Sequence, residues 1–87
     1  MGDNNLVNTA AVLEHEVSIG SNCHLASSST ISGRSQIGDG CFVGAGATVI
    51  NYVEIAADIT IGAGATVIVS LTDSGVYVGT PVRKVSL

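Results

Sequence analysis

The sequence predicts an all-β fold: a single-stranded parallel β-helix of about four coils with a short C-terminal tail. Three observations carry this reading. Stepping by six from Val7 gives Leu13, Ile19, Leu25, Ile31, Ile37, Val43, Val49, Ile55, Ile61 and Val67, every one aliphatic. The residue four places after each is mostly small, as at Ala11, Cys23, Ser29, Ser35, Cys41, Ala47 and Ala65. Residues eighteen apart then form three ladders of like side chains: Val7–Leu25–Val43–Ile61, Leu13–Ile31–Val49–Val67 and Ile19–Ile37–Ile55. A helix would need apolar spacings of three and four, and a hairpin meander would alternate between irregular turns, so a period of six excludes both.

The elements follow in order from that period. Residues 1–6 are mostly polar and are expected to fray. Regular coils are expected from about Val7 to about Thr72, each of three short flat strands, stacked at the inter-strand spacing of roughly 4.8 Å. Asp73 to Val78 (DSGVYV) should break the period, with a turn at Ser74-Gly75. The tail Gly79 to Lys84 (GTPVRK) should leave the prism. Residues 1–87 are read as one domain, since 87 residues leave no room for a second core. The core must be aliphatic and small, because the chain has one Phe, two Tyr and no Trp. The two open ends of the stack are unpaired strand edges that something must cover or blunt.

Charge narrows the possible partners. The formal net charge is -4, which speaks against nucleic acid or an anionic membrane, since both reward Lys/Arg patches. Arg34, Arg83 and Lys84 are the only cations available to a small anionic ligand. There is no signal-peptide pattern and no long unbroken apolar run, so a cytoplasmic protein is expected. The low charged fraction suggests that much of the outer surface is covered in an oligomer. Two cysteines are too few for a disulfide framework. Cys23 and Cys41, eighteen apart, should stack in the core; their spacing would suit a bridge, but two small reduced core residues are the expected state.

The polar chemistry is sparse. His15 and His24 both fall at non-aliphatic positions and should point outward, on different sides of one prism. His15 lies between Glu14 and Glu16, and a carboxylate can orient an imidazole and raise its basicity. The residues alone leave two readings open: a general base, or a solvated surface histidine among charges. His24 has no carboxylate beside it and reads equally as a hydrogen-bond donor at a surface or interface. Two histidines cannot supply a three-histidine zinc site within one interface, so no metal is expected. Gly44-Ala45-Gly46-Ala47 and its near copy Gly62-Ala63-Gly64-Ala65 should form adjacent rungs almost without side chains. A linear ligand carrying amides could lie along them; small residues satisfying corner geometry is the alternative. Ser27 to Thr30 reads as coil surface.

Five stretches carry a resemblance: NTAAVLEHEVSIG (8–20), HLASSSTISG (24–33), IGDGCFVGA (37–45), GAGATV (62–67) and GVYVGTPVRK (75–84). In this order the chain resembles the C-terminal β-helix of hexapeptide-repeat sugar O- and N-acyltransferases of the sialic acid O-acetyltransferase type. The resemblance implies a left-handed coil and a homotrimer with acetyl-CoA, the cosubstrate, in the cleft between neighbouring prisms. It implies that His15 is the general base and Glu16 its support, with Asn8 near the acceptor. His24 is implied to contact the thioester region, and the Gly33 backbone to donate to the carbonyl. It also implies that Ala45 and Ala63 contact the pantetheine arm through their main chain, and that Pro81, Arg83 and Lys84 lie near the nucleotide end. Such enzymes move an acetyl group from CoA to an amine or hydroxyl of a small acceptor, here an amino sugar or sugar derivative. Relatives usually add an N-terminal domain that binds the nucleotide sugar, and this sequence has none. A separate protein could replace it; alternatively the chain is a non-catalytic β-helix module that binds CoA or serves in assembly.

Overall fold

A computed structural model describes residues 1–86. Its strands are β1 (Leu6–Val7), β2 (Val12–Leu13), β3 (Ser18–Ile19), β4 (His24–Leu25), β5 (Thr30–Ile31), β6 (Gln36–Ile37), β7 (Phe42–Val43), β8 (Thr48–Val49), β9 (Glu54–Ile55), β10 (Ile59–Ile61), β11 (Thr66–Val67), β12 (Gly75–Val78) and β13 (Arg83–Ser86). Up to β11 they stack every third one into three faces, and β12 and β13 extend the first. Face one is β1-β4-β7-β10-β12-β13, face two is β2-β5-β8-β11, and face three is β3-β6-β9. The molecule is the all-β parallel β-helix of hexapeptide repeats, about four turns long, that the period of six predicts, consistent with the left-handed coil that the resemblance implies.

The register is eighteen residues per turn: Leu25 lies beside Val43, Ile31 beside Val49 and Ile37 beside Ile55. The second residue of each short strand points inward. Leu25, Ile31, Val43, Val49, Ile61 and Val67 are completely buried. The small residues four places on fill the narrow corners: Cys23, Cys41, Ala47 and Ala65 are buried with them. Removing this aliphatic surface from water is the main drive to fold, and the coil-to-coil ladder satisfies the peptide groups that burial strips of water.

Each corner turns on a residue in the left-handed region. Ala10, Glu16, Asn22, Ser28, Arg34, Tyr52 and Asp58 have φ between 58° and 62°, and Gly40, Gly46 and Gly64 take the same role near 70°. The corner residues are thus held in one orientation, coil after coil, which fixes where their side chains emerge.

Four expectations are corrected. The period is shortened by two residues before Leu71, which bridges to Ile55 sixteen places back. DSGVYV then resumes the coil: β12 pairs in parallel with β10, Ile59 beside Gly75 and Ile61 beside Tyr77. Tyr77 takes the inward position, buried, with its hydroxyl donating to the Asp73 carbonyl at 2.7 Å. The tail does not leave the prism. β13 folds back antiparallel on β12, and the Val82 amide donates to the Thr66 carbonyl at 3.0 Å, so the hairpin caps the top of the stack. Residues 1–6 are strapped to the next coil. Gly2 donates to Ile19, and the Asn5 side chain accepts from the Cys23 amide at 2.7 Å and donates to the Gly20 carbonyl at 2.8 Å. The Asn5 amide thus takes the place that the Cys23 and Cys41 thiols hold on the later coils, where each donates to the equivalent carbonyl. Finally, Ser29 is buried, its hydroxyl bonded to the Ala26 carbonyl at 2.8 Å, so that polar run is not all surface.

Cys23 and Cys41 are buried free thiols. Their sulfurs donate to the carbonyls of Gly38 and Ala56, each at 3.1 Å. Burial pushes the Cys41 thiol above its ordinary value. Among the described residues no helix is long and apolar enough to cross a membrane.

Candidate active site

The corner between faces two and three carries most of the polar chemistry. Three coils contribute to it in register: His15-Glu16, then Gly33-Arg34, then Asn51-Tyr52. The backbone ties them together, the Arg34 amide donating to the His15 carbonyl at 3.0 Å and the Tyr52 amide to the Gly33 carbonyl at 3.1 Å. His15, Gly33, Arg34, Asn51 and Tyr52, with Glu14 and Ser32, line an open groove along the corner.

His15 stands at the lower end of the groove, exposed, with its ring against Gly33. A Cβ added to Gly33 would come within 2.9 Å of His15 Nε2 and 3.1 Å of Cε1, so this glycine is what admits the imidazole. On the other side of the ring, Nδ1 lies 3.6 Å from Glu16 Oε1. That is an ion-pair distance for a protonated histidine, but too long for a hydrogen bond. The same carboxylate oxygen accepts from Arg34 Nη2 at 3.2 Å, and Arg34 Nη1 donates to the Tyr52 hydroxyl at 2.6 Å. Sequence reasoning missed Arg34 and Tyr52 as members of this group. The signal was available: 16, 34 and 52 are eighteen apart, as the core ladders are.

The other residues singled out from sequence lie elsewhere on the chain. His24 is on the outside of face one, next to Phe42 on the following coil, with ring centroids 4.9 Å apart and nearly perpendicular. It points outward, as expected, but is half-buried there. Its Nε2 is buried without a hydrogen-bond partner. Asn8, in the first coil, caps its own corner by accepting from the Thr9 amide at 2.7 Å. Ala45 and Ala63 are exposed at the corner between faces one and two, where the Gly64 amide donates to the Ala45 carbonyl at 2.8 Å. Thr80 and Pro81 continue that corner upward, the Thr80 hydroxyl reaching the Gly64 carbonyl at 3.5 Å. Arg83 and Lys84 are exposed on β13 beyond it, in no ion pair among the described residues. One chain therefore brings His15, Glu16 and Gly33 together, and separately aligns Ala45, Ala63 and Pro81. It does not bring the two groups to the same corner. Among the described residues no group of three or more His, Cys, Asp or Glu side chains could hold a metal ion.

The repeat and the fold match known proteins. The bacterial transferase hexapeptide (six repeats) family model matches residues 34–68. A histidine mutant of perosamine N-acetyltransferase from Caulobacter crescentus, solved with CoA and GDP-perosamine, superposes with a TM-score of 0.96 at 37% identity, covering 99% of this chain and 41% of that one. This chain is a hexapeptide-repeat β-helix similar to that of this acetyltransferase. The acetyltransferase domain of PglB from Neisseria gonorrhoeae matches with a TM-score of 0.91 at 27% identity, over 93% of this chain and 40% of that one. A serine acetyltransferase solved with CoA shares the fold, with a TM-score of 0.88 at 21% identity over 97% of this chain and 38% of that one. The hexapeptide chain thus spans about two-fifths of the length of these solved structures. No curated protein matches it significantly.

Proposed function

We propose that this chain is the catalytic β-helix of a homotrimeric acyltransferase that moves an acetyl group from CoA to an amine or hydroxyl of an amino sugar or sugar derivative, in the cytoplasm. One observation carries the reading: His15 presses Nε2 against the side-chain-free Gly33 with a carboxylate at its Nδ1, in a groove open to ligand. That is the arrangement a general base needs: one nitrogen available to a substrate proton and the other beside an anion that stabilises the charge it acquires. The likeness to an N-acetyltransferase solved with CoA and a sugar nucleotide supports the choice of substrates.

In this reading His15 Nε2 takes the proton of the acceptor. The freed lone pair attacks the thioester carbonyl, whose oxyanion accepts from the Gly33 backbone amide and from His24 of a second copy. Collapse expels the CoA thiolate, which takes the proton back from His15. No acyl-enzyme is required, in keeping with two cysteines sealed in the core. Ala45 and Ala63 of that second copy face the pantetheine arm, and Pro81, Arg83 and Lys84 the nucleotide end, where cations suit phosphate. Asn8 lies on the acceptor side. Two copies are needed because His15 and Ala45 stand at different corners of one prism. Much of the rate comes from holding both substrates in line.

The test is thiol release from acetyl-CoA across a panel of amino-sugar and sugar-nucleotide acceptors. Turnover that falls by about 10²- to 10⁴-fold in His15→Ala supports the base assignment, and turnover unchanged in that variant overturns it. CoA binding without turnover on any acceptor would favour a non-catalytic module, with the acceptor site supplied by another protein.

A further inference from the structure

We propose that Arg34 is a positioning residue that holds the Glu16 carboxylate beside His15 Nδ1 and offsets the negative charge there, so that the imidazole is kept able to take a proton. The inference rests on the acyl-transfer reading and adds a control on its base. The geometry is a ladder along one corner. Glu16, Arg34 and Tyr52 occupy the same position on three successive coils, with φ of 58°, 61° and 62°, so their side chains emerge in parallel. The middle one bonds to both others: Nη2 to Glu16 Oε1 at 3.2 Å and Nη1 to the Tyr52 hydroxyl at 2.6 Å. The oxygen that Arg34 holds is the one 3.6 Å from His15 Nδ1.

The charges facing His15 are few. Glu14 and Glu16 flank it on its own coil, Arg34 approaches from the coil above, and the Tyr52 phenol stands behind Arg34 on the third coil. Without Arg34, two carboxylates would face the imidazole with nothing to offset them, and both favour its protonated form. A protonated imidazole cannot accept a proton from the acceptor. Arg34 acts against this in two ways: its own positive charge disfavours a second cation beside it, and its hydrogen bond occupies the Glu16 oxygen. Tyr52 fixes the guanidinium so that it points down the ladder towards Glu16. Because the pair is well exposed, it contributes little to folding, and Arg34 can be replaced without unfolding the prism.

The experiment uses the full chain with Arg34→Met, Arg34→Lys and Tyr52→Phe. Imidazole proton resonances are followed against pH, His15 being assigned by its absence in His15→Gln. The expected result in Arg34→Met is a His15 titration midpoint higher by about half a pH unit, from the loss of one nearby, partly screened charge. The acid limb of the kcat/KM profile should move with it. The rate on that limb then falls about threefold, the same shift expressed as a rate, while the alkaline plateau is kept. Arg34→Lys, which keeps the charge, should move the midpoint less, and Tyr52→Phe should move it upward by a smaller amount. A midpoint unmoved or lowered in Arg34→Met overturns the proposal. So does a lost plateau with a fixed midpoint, since Arg34 would then serve substrate binding. If no acceptor gives turnover, the resonance shift alone decides, and an upward shift supports the ladder while the acyl-transfer reading falls separately.

Discussion

The corner that carries His15 and the corner that carries Ala45 are built on the same backbone and filled in opposite ways. Both turn on a left-handed residue in each coil. At the Ala45 corner the later coils place glycine there, Gly46 and Gly64, both with φ of 71°. At the His15 corner the same position holds Glu16, Arg34 and Tyr52. For residues with a Cβ the left-handed region costs roughly 1–2 kcal/mol each, so three side chains are kept against the preference of their own backbone. The difference separates a wall from a tool. On its later coils one corner is reduced to glycine and alanine, leaving main chain exposed for a ligand to lie along. The other spends conformational energy to present a base, an acid and a cation in register.

The largest effect should come from filling the small side. Gly44 leads into the Ala45 corner, and a Cβ there would lie 2.6 Å from the Ala63 nitrogen and 2.7 Å from the Gly62 carbonyl carbon. Backbone on the next coil cannot give way, so Gly44→Ala should cost about 3 kcal/mol in urea or thermal unfolding. Gly33→Ala provides the contrast. Its Cβ meets the exposed His15 ring, which can swing aside. Stability should change by less than about 1 kcal/mol, while thiol release falls at least about tenfold because the base is displaced. Equal stability losses in the two variants would erase the distinction between the corners.

A smaller effect is expected at Ala10, where the small corner carries a non-glycine residue at φ 59°. Ala10→Gly should stabilise by about 0.5 kcal/mol, with relief of the strain partly offset by the greater freedom of the unfolded chain. The smallest effect concerns the inner wall of the third corner. Burial raises the Cys41 thiol above its ordinary value of 9.0, so folding favours the neutral form. This contribution is complete below the ordinary thiol range and is lost as pH rises through the raised value. Urea midpoints should therefore fall more steeply on the alkaline side for the parent than for Cys41→Ala.

Much of the fold was legible because it repeats. Each aliphatic residue from Leu25 to Val67 is confirmed by neighbours eighteen away, and the stacking of Cys23 under Cys41 follows from the same count. What was not legible breaks the repeat or crosses between coils. The two-residue shortening before Leu71 has no periodic signal, and it alone converts Tyr77 from an apparent tail residue into the cap of the core. The N-terminal strap depends on both ends of one Asn5 amide finding partners on the next coil. In the site, the His15–Glu16 pair is adjacent in sequence and was visible. Arg34 and Tyr52 join it only through vertical stacking, so polar residues must be read at a step of eighteen just as apolar ones are.

The most direct test is calorimetric titration of acetyl-CoA into the assembled protein, comparing the parent with Ala45→Trp. Ala45 is exposed, so the substitution leaves the prism intact and only blocks the bare corner. A trimer by sedimentation that binds one acetyl-CoA per chain, with binding lost in Ala45→Trp, is the predicted result. Binding unaffected by the tryptophan, or a stable monomer, would contradict a site shared between the two unlike corners.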